Sequence, residues 1–268
     1  MTQPSIYNDQ SVEGEPKDAA TIVLVRNTVC AQASTGLEIF MLRRGASTTV
    51  LHHAYVFPGG KVDPEDAAPE RLAELQLAGD AAQMLNEPTL DGARAASLFV
   101  AACRETLEEC GVQIKARDLI PLSRWITPKV PALMRKRFDT RFFIAAMPEG
   151  AHAVHDGHEA DQSAWYTPRQ ALELYRDGHI MLAPPQIMTL VELSSFKNLT
   201  ELSQSLEGRK PALIEPKSVQ ENGQRVIVYP GDPRHPVRER AMSGPTALLN
   251  NNDRFQPEDG FEAFFATS

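Results

Sequence analysis

The stretch CRETLEECGV, residues 103–112, gathers three glutamates and an arginine into ten positions. In a helix, which turns about 100° per residue, Glu105, Glu108 and Glu109 fall within an arc of about 100°. Five apolar residues are expected on the opposite side: Phe99, Val100, Cys103, Leu107 and Cys110. Taken alone, this pattern favours an ordinary amphipathic helix with a solvated face, which is far commoner than a metal site. The rest of the sequence has to decide between the two.

The length and composition of the chain indicate a globular protein with one large domain, or with a domain and an appendage. It has 268 residues, of which 42% are hydrophobic and 23% charged, enough apolar material for a core. Its net charge of −8 argues against a general affinity for nucleic acid or for an anionic membrane surface. We therefore expect neither nucleic acid nor a membrane as a partner, and we leave a homodimer open.

The expected compartment follows from the cysteines and the amino terminus. Three scattered cysteines are too few for a disulfide framework, so Cys103 and Cys110 are predicted to be packed free thiols. The polar amino terminus lacks the basic and apolar regions of a secretory signal, and no apolar run reaches the ~20 residues that span a bilayer. The prediction is a reduced, cytoplasmic protein.

Alternating patterns and turn residues predict the order of elements. Residues 1–19 are expected to form a polar arm, followed by strands at 21–27, 38–44, 137–147 and 162–167. The strongest helix is expected after Asp91, a potential N-cap, and before Gly111, a potential C-cap. Shorter helices are expected within 67–90 and after Pro168, Pro184 and Asn198. The Asn-Gly pair at 222–223 predicts a hairpin, and the polar segment after Gly231 predicts a surface tail. The mixed order predicts an α/β or α+β fold.

The glutamate helix and the upstream stretch FPGGKVDPED, residues 57–66, together resemble the Nudix box, G-x5-E-x7-R-E-U-x-E-E-x-G-U, in which U is bulky and aliphatic. In this alignment Gly60 is the first glycine and Arg104 and Glu105 are the Arg-Glu pair. Glu108 and Glu109 are the double glutamate, and the last two positions are Gly111 and Val112.

The chain departs from the box in three places. Asp66 stands where the box has glutamate, and Thr106 stands at a bulky aliphatic position. Thirty-seven residues, 67 to 103, separate Asp66 from Arg104 where the box has seven, so thirty are inserted. Added length in a loop costs little closure entropy. An insertion at this point, preceded by FPGG-x-VD-x-x-D, resembles the branch of the family that includes the peroxisomal coenzyme A diphosphatase and its bacterial relatives.

Three further stretches, WITP, RFDTRFF and LAPPQIMTL, are similar to the same branch and extend the resemblance over roughly residues 20–195. A separate signature of other coenzyme A-cleaving members is only partly present in MLRRGAS. It lacks the glycine expected four residues before Phe57, where His53 stands.

The resemblance implies an α/β/α sandwich with a mixed sheet. Its expected organisation is an arm at 1–19, a Nudix domain at 20–195 with an insertion at about 67–92, and a C-terminal extension at 196–268. It also implies a Mg²⁺ or Mn²⁺ site, because these hard cations prefer carboxylate oxygens. The expected metal ligands are Glu105, Glu108, Glu109 and Glu159.

Catalytic roles are expected for three of the box and loop residues: Arg104, Glu109 and Glu159. Glu159 lies six residues before Trp165, the spacing of a loop carboxylate in related enzymes, and Glu109 is the rival general base. Arg104 is expected to orient a carboxylate. The candidates for binding the substrate are Arg43, Arg44, Gly60, Lys61 and Arg137.

The expected reaction is hydrolysis of the diphosphate of coenzyme A or acyl-coenzyme A. ADP-ribose, NADH or a dinucleoside polyphosphate are alternative substrates. A non-catalytic Nudix ligand sensor is an alternative from another class, and a structural protein with a glutamate-faced helix is a third. Sensors tend to lose the acidic set, which this chain retains, and a purely structural protein leaves FPGG unexplained.

Overall fold

A mixed sheet of eight strands forms the centre of the protein. The structure is a computed structural model and describes residues 11–28, 36–45, 53–130, 136–251 and 254–266. The strands of this sheet are β1 (Lys17–Asn27), β2 (Leu37–Arg44), β3 (Tyr55–Val56), β4 (Gly59–Lys61), β5 (Ile120–Ile126), β6 (Phe138–Ala146), β7 (Ala160–Tyr166) and β8 (Ala212–Ile214). Their order is β3-β2-β1-β6-β5-β8, while β4 pairs with β1 and β7 with β2. The pairs β1–β6 and β5–β8 are parallel and the others are antiparallel.

Helices cover both faces of this sheet. They are α1 (Pro69–Ala73), α2 (Ala81–Met84), α3 (Gly92–Cys110), α4 (Pro168–Arg176), α5 (Pro184–Leu193) and α6 (Leu199–Leu206). In β1, Ile22 and Leu24 pack on the side of α2 and α3, whereas Val23 and Val25 pack on the side of α4, α5 and α6. Successive side chains of a strand point to opposite faces, so a strand covered on both sides is apolar throughout. The predicted α/β/α sandwich with a mixed sheet is confirmed.

Helix α3 has the bounds that its caps predict. The Asp91 carboxylate accepts a hydrogen bond from the Arg94 N–H at 2.9 Å, and Gly111 ends the helix at φ +69°. The expected apolar side is wrong in one position, because Leu107 is 48% exposed. Thr106 is buried instead, and its hydroxyl donates to the Ala102 carbonyl at 2.8 Å. A threonine whose hydroxyl is satisfied within its own helix can be buried, so the apolar pattern alone does not predict which side chains of this helix are buried.

The two cysteines of α3 are free thiols, as predicted. Burial raises the pKa of both Cys103 and Cys110 to about 12. A raised thiol pKa leaves only on the order of one thiolate in ten thousand at pH 8, and the thiolate is the reactive form. In a Cys30→Ser variant, which removes a cysteine outside the described residues, the native protein should show no rapid reaction with a disulfide reagent at pH 8. The same variant unfolded in denaturant should react at both thiols; rapid native reaction would contradict the burial.

The insertion lies against the start of α3. It contains the short helices α1 and α2, and Ala81, Ala82 and Leu85 pack against α3. Near its end, Glu87 reaches the central strand and forms an ion pair with Arg141, whose side chain is 2% exposed. The insertion is therefore fixed to the sheet by charge as well as by apolar contact.

The predicted extents of the two terminal segments need correction. Strand β1 begins at Lys17, inside the predicted arm, because the Asp18 carboxylate is held by Arg94 and Arg141. The hairpin at 222–223 is confirmed and joins β9 (Lys217–Glu221) to β10 (Gln224–Val228). The surface tail is wrong. The chain forms β11 (Ala247–Asn251) and β12 (Arg254–Gln256), which extend the hairpin into a second sheet of four strands.

Part of this last segment belongs to the protein core. Leu248, Phe255 and Phe264 are at most 2% exposed and pack in the cluster that contains α4 and α5. The apolar residues of these strands are too few to stand out in a segment rich in Pro, Asn, Asp and Arg. Within the described ranges, no helix has the length and apolarity needed to cross a bilayer.

Candidate active site

The turn between β3 and β4 brings the backbone onto the acidic helix. Gly59 has φ +152°, and a Cβ there would lie 2.2 Å from Thr21 Oγ1 and 2.4 Å from the Ala20 carbonyl oxygen. Only glycine fits this close approach of two strands. The Gly59 N–H then donates to Glu109 Oε2 at 2.8 Å. The glycine turn thus holds a carboxylate of α3 through the main chain.

Gly60 lies directly against the neighbouring carboxylate. A Cβ at Gly60 would be 2.2 Å from Glu105 Oε1 and 2.4 Å from Glu105 Cδ. The backbone of Gly60 is paired with Ala20 in the sheet, which restricts its movement away from the Glu105 carboxylate. The absence of a side chain at Gly60 therefore sets where the Glu105 carboxylate can stand.

We expect Gly60→Ala to lower kcat/KM by about 10- to 100-fold, because displacing a catalytic group by about 1 Å can cost that much. The added methyl group would push the Glu105 carboxylate aside while leaving the strand pairing intact. Gly92→Ala is the matched control, since a Cβ at Gly92 meets nothing within 4 Å. Steady-state kinetics and thermal unfolding of both variants make the comparison. Equal activity of the two folded variants would show that the contact does not position Glu105.

Arg104 joins the two halves of the interrupted motif. Its guanidinium forms a two-pronged pair with the fully buried Asp66, with Nε to Oδ1 and Nη2 to Oδ2 both at 2.8 Å. Hydrogen bonding to Asp66 is the main reason that the pKa of Arg104 is raised. Its Nη1 also donates to Glu105 Oε1 and Glu108 Oε2, each at 3.0 Å. The pair holds the two halves of the motif together across thirty inserted residues, and it gives Asp66 a positioning role that the sequence analysis did not predict.

The charges of neighbouring carboxylates raise the pKa values of two glutamates at this site. Burial is the largest cause that raises the pKa of Glu109 to about 8, and the charges of Glu105 and Glu159 raise it further. The Gly59 N–H bond and the charge of Arg44 act in the opposite direction. Burial also raises the pKa of Glu105, with a contribution from Glu159. The charge of Glu159, from another part of the chain, thus acts on two carboxylates of α3, and its role as ligand or base stays a prediction.

The loop that carries Glu159 is organised by Asp156. The Asp156 carboxylate accepts hydrogen bonds from the N–H groups of His158, Glu159 and Ala160 at 3.1–3.2 Å. The Glu159 carbonyl accepts from the Gly45 N–H at 2.9 Å. Asp156 is a positioning residue that the sequence reasoning missed, although Asp-Gly at 156–157 is a recognised turn signal.

The five candidates for binding the substrate divide into two groups. Gly60 and Arg44 lie at the carboxylates, the latter through its charge on Glu109. The other three have contacts elsewhere: Arg43 pairs with Asp161 at 2.7 Å, Lys61 offers its carbonyl to Arg104, and Arg137 donates to the carbonyls of Thr127 and Gly14. No contact of Arg137 with the carboxylate site is present among the described residues, and its role in binding stays a prediction.

The donor set fits a hard divalent cation. Glu105, Glu109 and Glu159 are oxygen donors, and the charges of neighbouring carboxylates raise the pKa of Glu105 and of Glu109, a repulsion that a divalent cation relieves. In the described part of the chain, however, no three acidic, histidine or cysteine side chains already stand as a metal-binding group. Arg104 holds Glu105 and Glu108 in its place. Binding a cation requires these side chains to turn from the guanidinium toward the ion.

Comparisons with known proteins agree with this geometry. The family model described as the NUDT19 Nudix domain matches residues 82–193. An acyl-coenzyme A diphosphatase NUDT19 of Gallus gallus is 23% identical over 82% of this chain and 80% of its own length. The Xenopus laevis protein of the same name is 24% identical over 64% of each, so the chain spans about two thirds of that relative.

A solved structure supports the fold. A Nudix hydrolase from Alicyclobacillus acidocaldarius superimposes with a TM-score of 0.58 at 21% identity, covering 74% of this chain and 97% of the other. Similarity at this level establishes the architecture. Together with the glycine turn, the Arg104 contacts and the acidic helix, these matches support a Nudix hydrolase of the NUDT19 branch.

Proposed function

We propose that this chain is a divalent-metal-dependent hydrolase that cleaves the diphosphate of coenzyme A or acyl-coenzyme A. One observation carries the catalytic part: Glu105 and Glu109 from α3 and Glu159 from a separate loop interact electrostatically, and the charge of Arg44 lowers the pKa of Glu109. Carboxylates that share a metal, beside an arginine that attracts phosphate, suit an anionic diphosphate. The names of the relatives and the FPGG-x-VD-x-x-D stretch support coenzyme A as the substrate.

The proposed metal ligands are Glu105, Glu108, Glu109 and Glu159, holding Mg²⁺ or Mn²⁺. When bound, the cation would neutralise phosphate oxygens and make water a better nucleophile. Arg104 does not contact the substrate in this proposal. It positions Glu105 and Glu108, and its bond with the buried Asp66 fixes the guanidinium itself.

The general base is proposed to be Glu159, with Glu109 as the rival. Glu159 is exposed at the rim, where its carboxylate can take a proton from an attacking water. Glu109 is more enclosed and is tied to the Gly59 N–H, which suits a ligand held in one place. Attack on one phosphorus breaks the bridging P–O bond and leaves an adenosine bisphosphate and a phosphopantetheine fragment.

Other nucleoside diphosphate derivatives remain alternatives: ADP-ribose, NADH and dinucleoside polyphosphates share the scissile group. A ligand sensor without catalysis is less well supported, because all of Glu105, Glu108 and Glu109 are present on α3. The deciding experiment is a product-resolved assay of coenzyme A, an acyl-coenzyme A, ADP-ribose, NADH and a diadenosine polyphosphate, each with Mg²⁺ and with Mn²⁺. The highest kcat/KM is expected for a coenzyme A compound. A higher value for another compound replaces the substrate, and no turnover with any of them removes the enzymatic assignment.

A further inference from the structure

His53 has an unusual backbone conformation close to the carboxylate site. Its φ is +60°, in the left-handed region that glycine adopts without strain. The other non-glycine residues with positive φ in the described ranges are Asn86 and Asn222, of the type that tolerates this region best. His53 also occupies the position where the signature of other coenzyme A-cleaving members has glycine. The chain thus keeps the glycine-like conformation but carries an imidazole there.

The main chain fixes His53 beside Arg44. The His53 N–H donates to the Arg44 carbonyl at 3.1 Å, and the Arg44 N–H donates to the Ala54 carbonyl at 3.0 Å. The next residue, Gly45, is bonded to the carbonyl of Glu159. His53 is therefore joined through Arg44 to the segment that carries the loop carboxylate.

Neither side chain of this pair is hydrogen-bonded to the described protein. The His53 residue is exposed, and no side-chain hydrogen bond of its imidazole is found within the described ranges. The Arg44 Nε is buried and also lacks a partner among the described residues. The charge of His53 acts on Asp161, whose pKa is lowered chiefly by its bond with Arg43. Two neighbouring donor groups, the Arg44 Nε and the His53 imidazole, thus have no hydrogen-bond partner among the described residues.

We propose that His53 and Arg44 form a phosphate-binding pair at the rim of the carboxylate site, in which His53 donates to a phosphate oxygen of the substrate. This inference rests on the proposed function for the chemistry of the ligand, a diphosphate. The strained backbone of His53 gives its imidazole no hydrogen bond within the described protein. A hydrogen bond from the imidazole to the bound ligand would account for that strain. Arg44 supplies a fixed charge, and a charge-assisted bond to phosphate is stronger than a neutral one.

The test uses His53→Gly and His53→Asn in the full chain, because both residues tolerate φ +60° and neither opens a cavity. Asn86→Gly is the matched control, since it relieves the same backbone conformation at φ +57° in the insertion. With coenzyme A and Mg²⁺, the two His53 variants should raise KM by about 5- to 20-fold with kcat within threefold, the signature of lost uniform binding. The control should leave both constants unchanged.

Calorimetry of magnesium pyrophosphate binding tests the phosphate-binding pair independently of which substrate the protein hydrolyses. The affinity for pyrophosphate should fall by a similar factor in both His53 variants, whether or not coenzyme A is hydrolysed. If the His53 variants bind pyrophosphate more weakly and the wild type does not hydrolyse coenzyme A, the phosphate-binding pair is supported and coenzyme A is excluded as the substrate. Unchanged KM and unchanged affinity, or a wild-type protein that binds no pyrophosphate, would overturn the pair.

Discussion

Glu109→Gln is expected to lower kcat by about 10²- to 10⁴-fold, the range for removing a catalytic proton-transfer or charge-stabilising group. The amide keeps the size of the side chain, and its oxygen can still accept the Gly59 N–H, so the fold should persist. It removes a charge that burial and two neighbouring carboxylates disfavour, and the thermal midpoint of the metal-free protein should therefore not fall. Kinetics at saturating Mg²⁺ and thermal unfolding without metal test both expectations.

The matched control is Glu149→Gln, which makes the same chemical change at an exposed residue after β6. It should leave kcat and the thermal midpoint unchanged. Activity of Glu109→Gln within threefold of the control would contradict the proposed metal site on α3.

Glu159→Gln separates the two candidates for the general base. If Glu159 is the base, kcat should fall by a similar factor while the affinities for metal and substrate change little. If Glu159 is a metal ligand, the loss should be partly restored by excess Mg²⁺. Wild-type turnover of Glu159→Gln at limiting metal would remove both roles and leave Glu109 as the base.

Arg141→Met is expected to cost about 3–5 kcal/mol of the free energy of unfolding, as when one partner of a buried ion pair is removed. Arg141 is 2% exposed and pairs with Asp18 at 2.7 Å, Glu87 at 2.7 Å and Asp139 at 3.2 Å. Arg94 and Arg124 complete a network of three arginines and three carboxylates. Removing the central arginine leaves the buried carboxylates short of compensating charge.

Urea unfolding at pH 7 measures this effect, with Arg176→Met as the control. Arg176 pairs with Asp177 on the surface, where solvent and salt screen an ion pair and its loss has little effect on stability. A loss below 1 kcal/mol for Arg141→Met would show that the network is not needed for stability. The network should also weaken in acid. Burial alone would raise the pKa of Asp18, but Arg94 and Arg141 lower it overall, so its contribution is present at neutral pH and is lost as the pH falls through that lowered pKa.

Local signals in the sequence predict the elements that local interactions define. The caps at Asp91 and Gly111 give the bounds of α3, and Asn222-Gly223 gives the hairpin, because each acts within a few residues of the main chain. The motif likewise brings Gly60 to the acidic helix.

Local signals in the sequence do not predict contacts between distant residues. Arg141 and Asp18 lie 123 positions apart, and nothing in the neighbourhood of either residue indicates the other. The prediction of a surface tail is wrong because Leu248 and Phe255 are buried, and the polar composition around these strands gives no indication of their burial. The backbone conformation of His53 accompanies a main-chain hydrogen bond to Arg44, which a single sequence does not reveal.

The position of strand β8 determines where the chain can be truncated without exposing the core. It comes from the C-terminal extension, yet it pairs with β5 at Ser123–Trp125 and buries Ile214, and the Trp125 ring lies 6.0 Å from that of Tyr229. A protein ended at residue 195 would expose the edge of β5 and the apolar face beneath it, a combination that promotes aggregation. The match to the family model ends at residue 193, whereas the hydrophobic core continues through Ile214 and Tyr229.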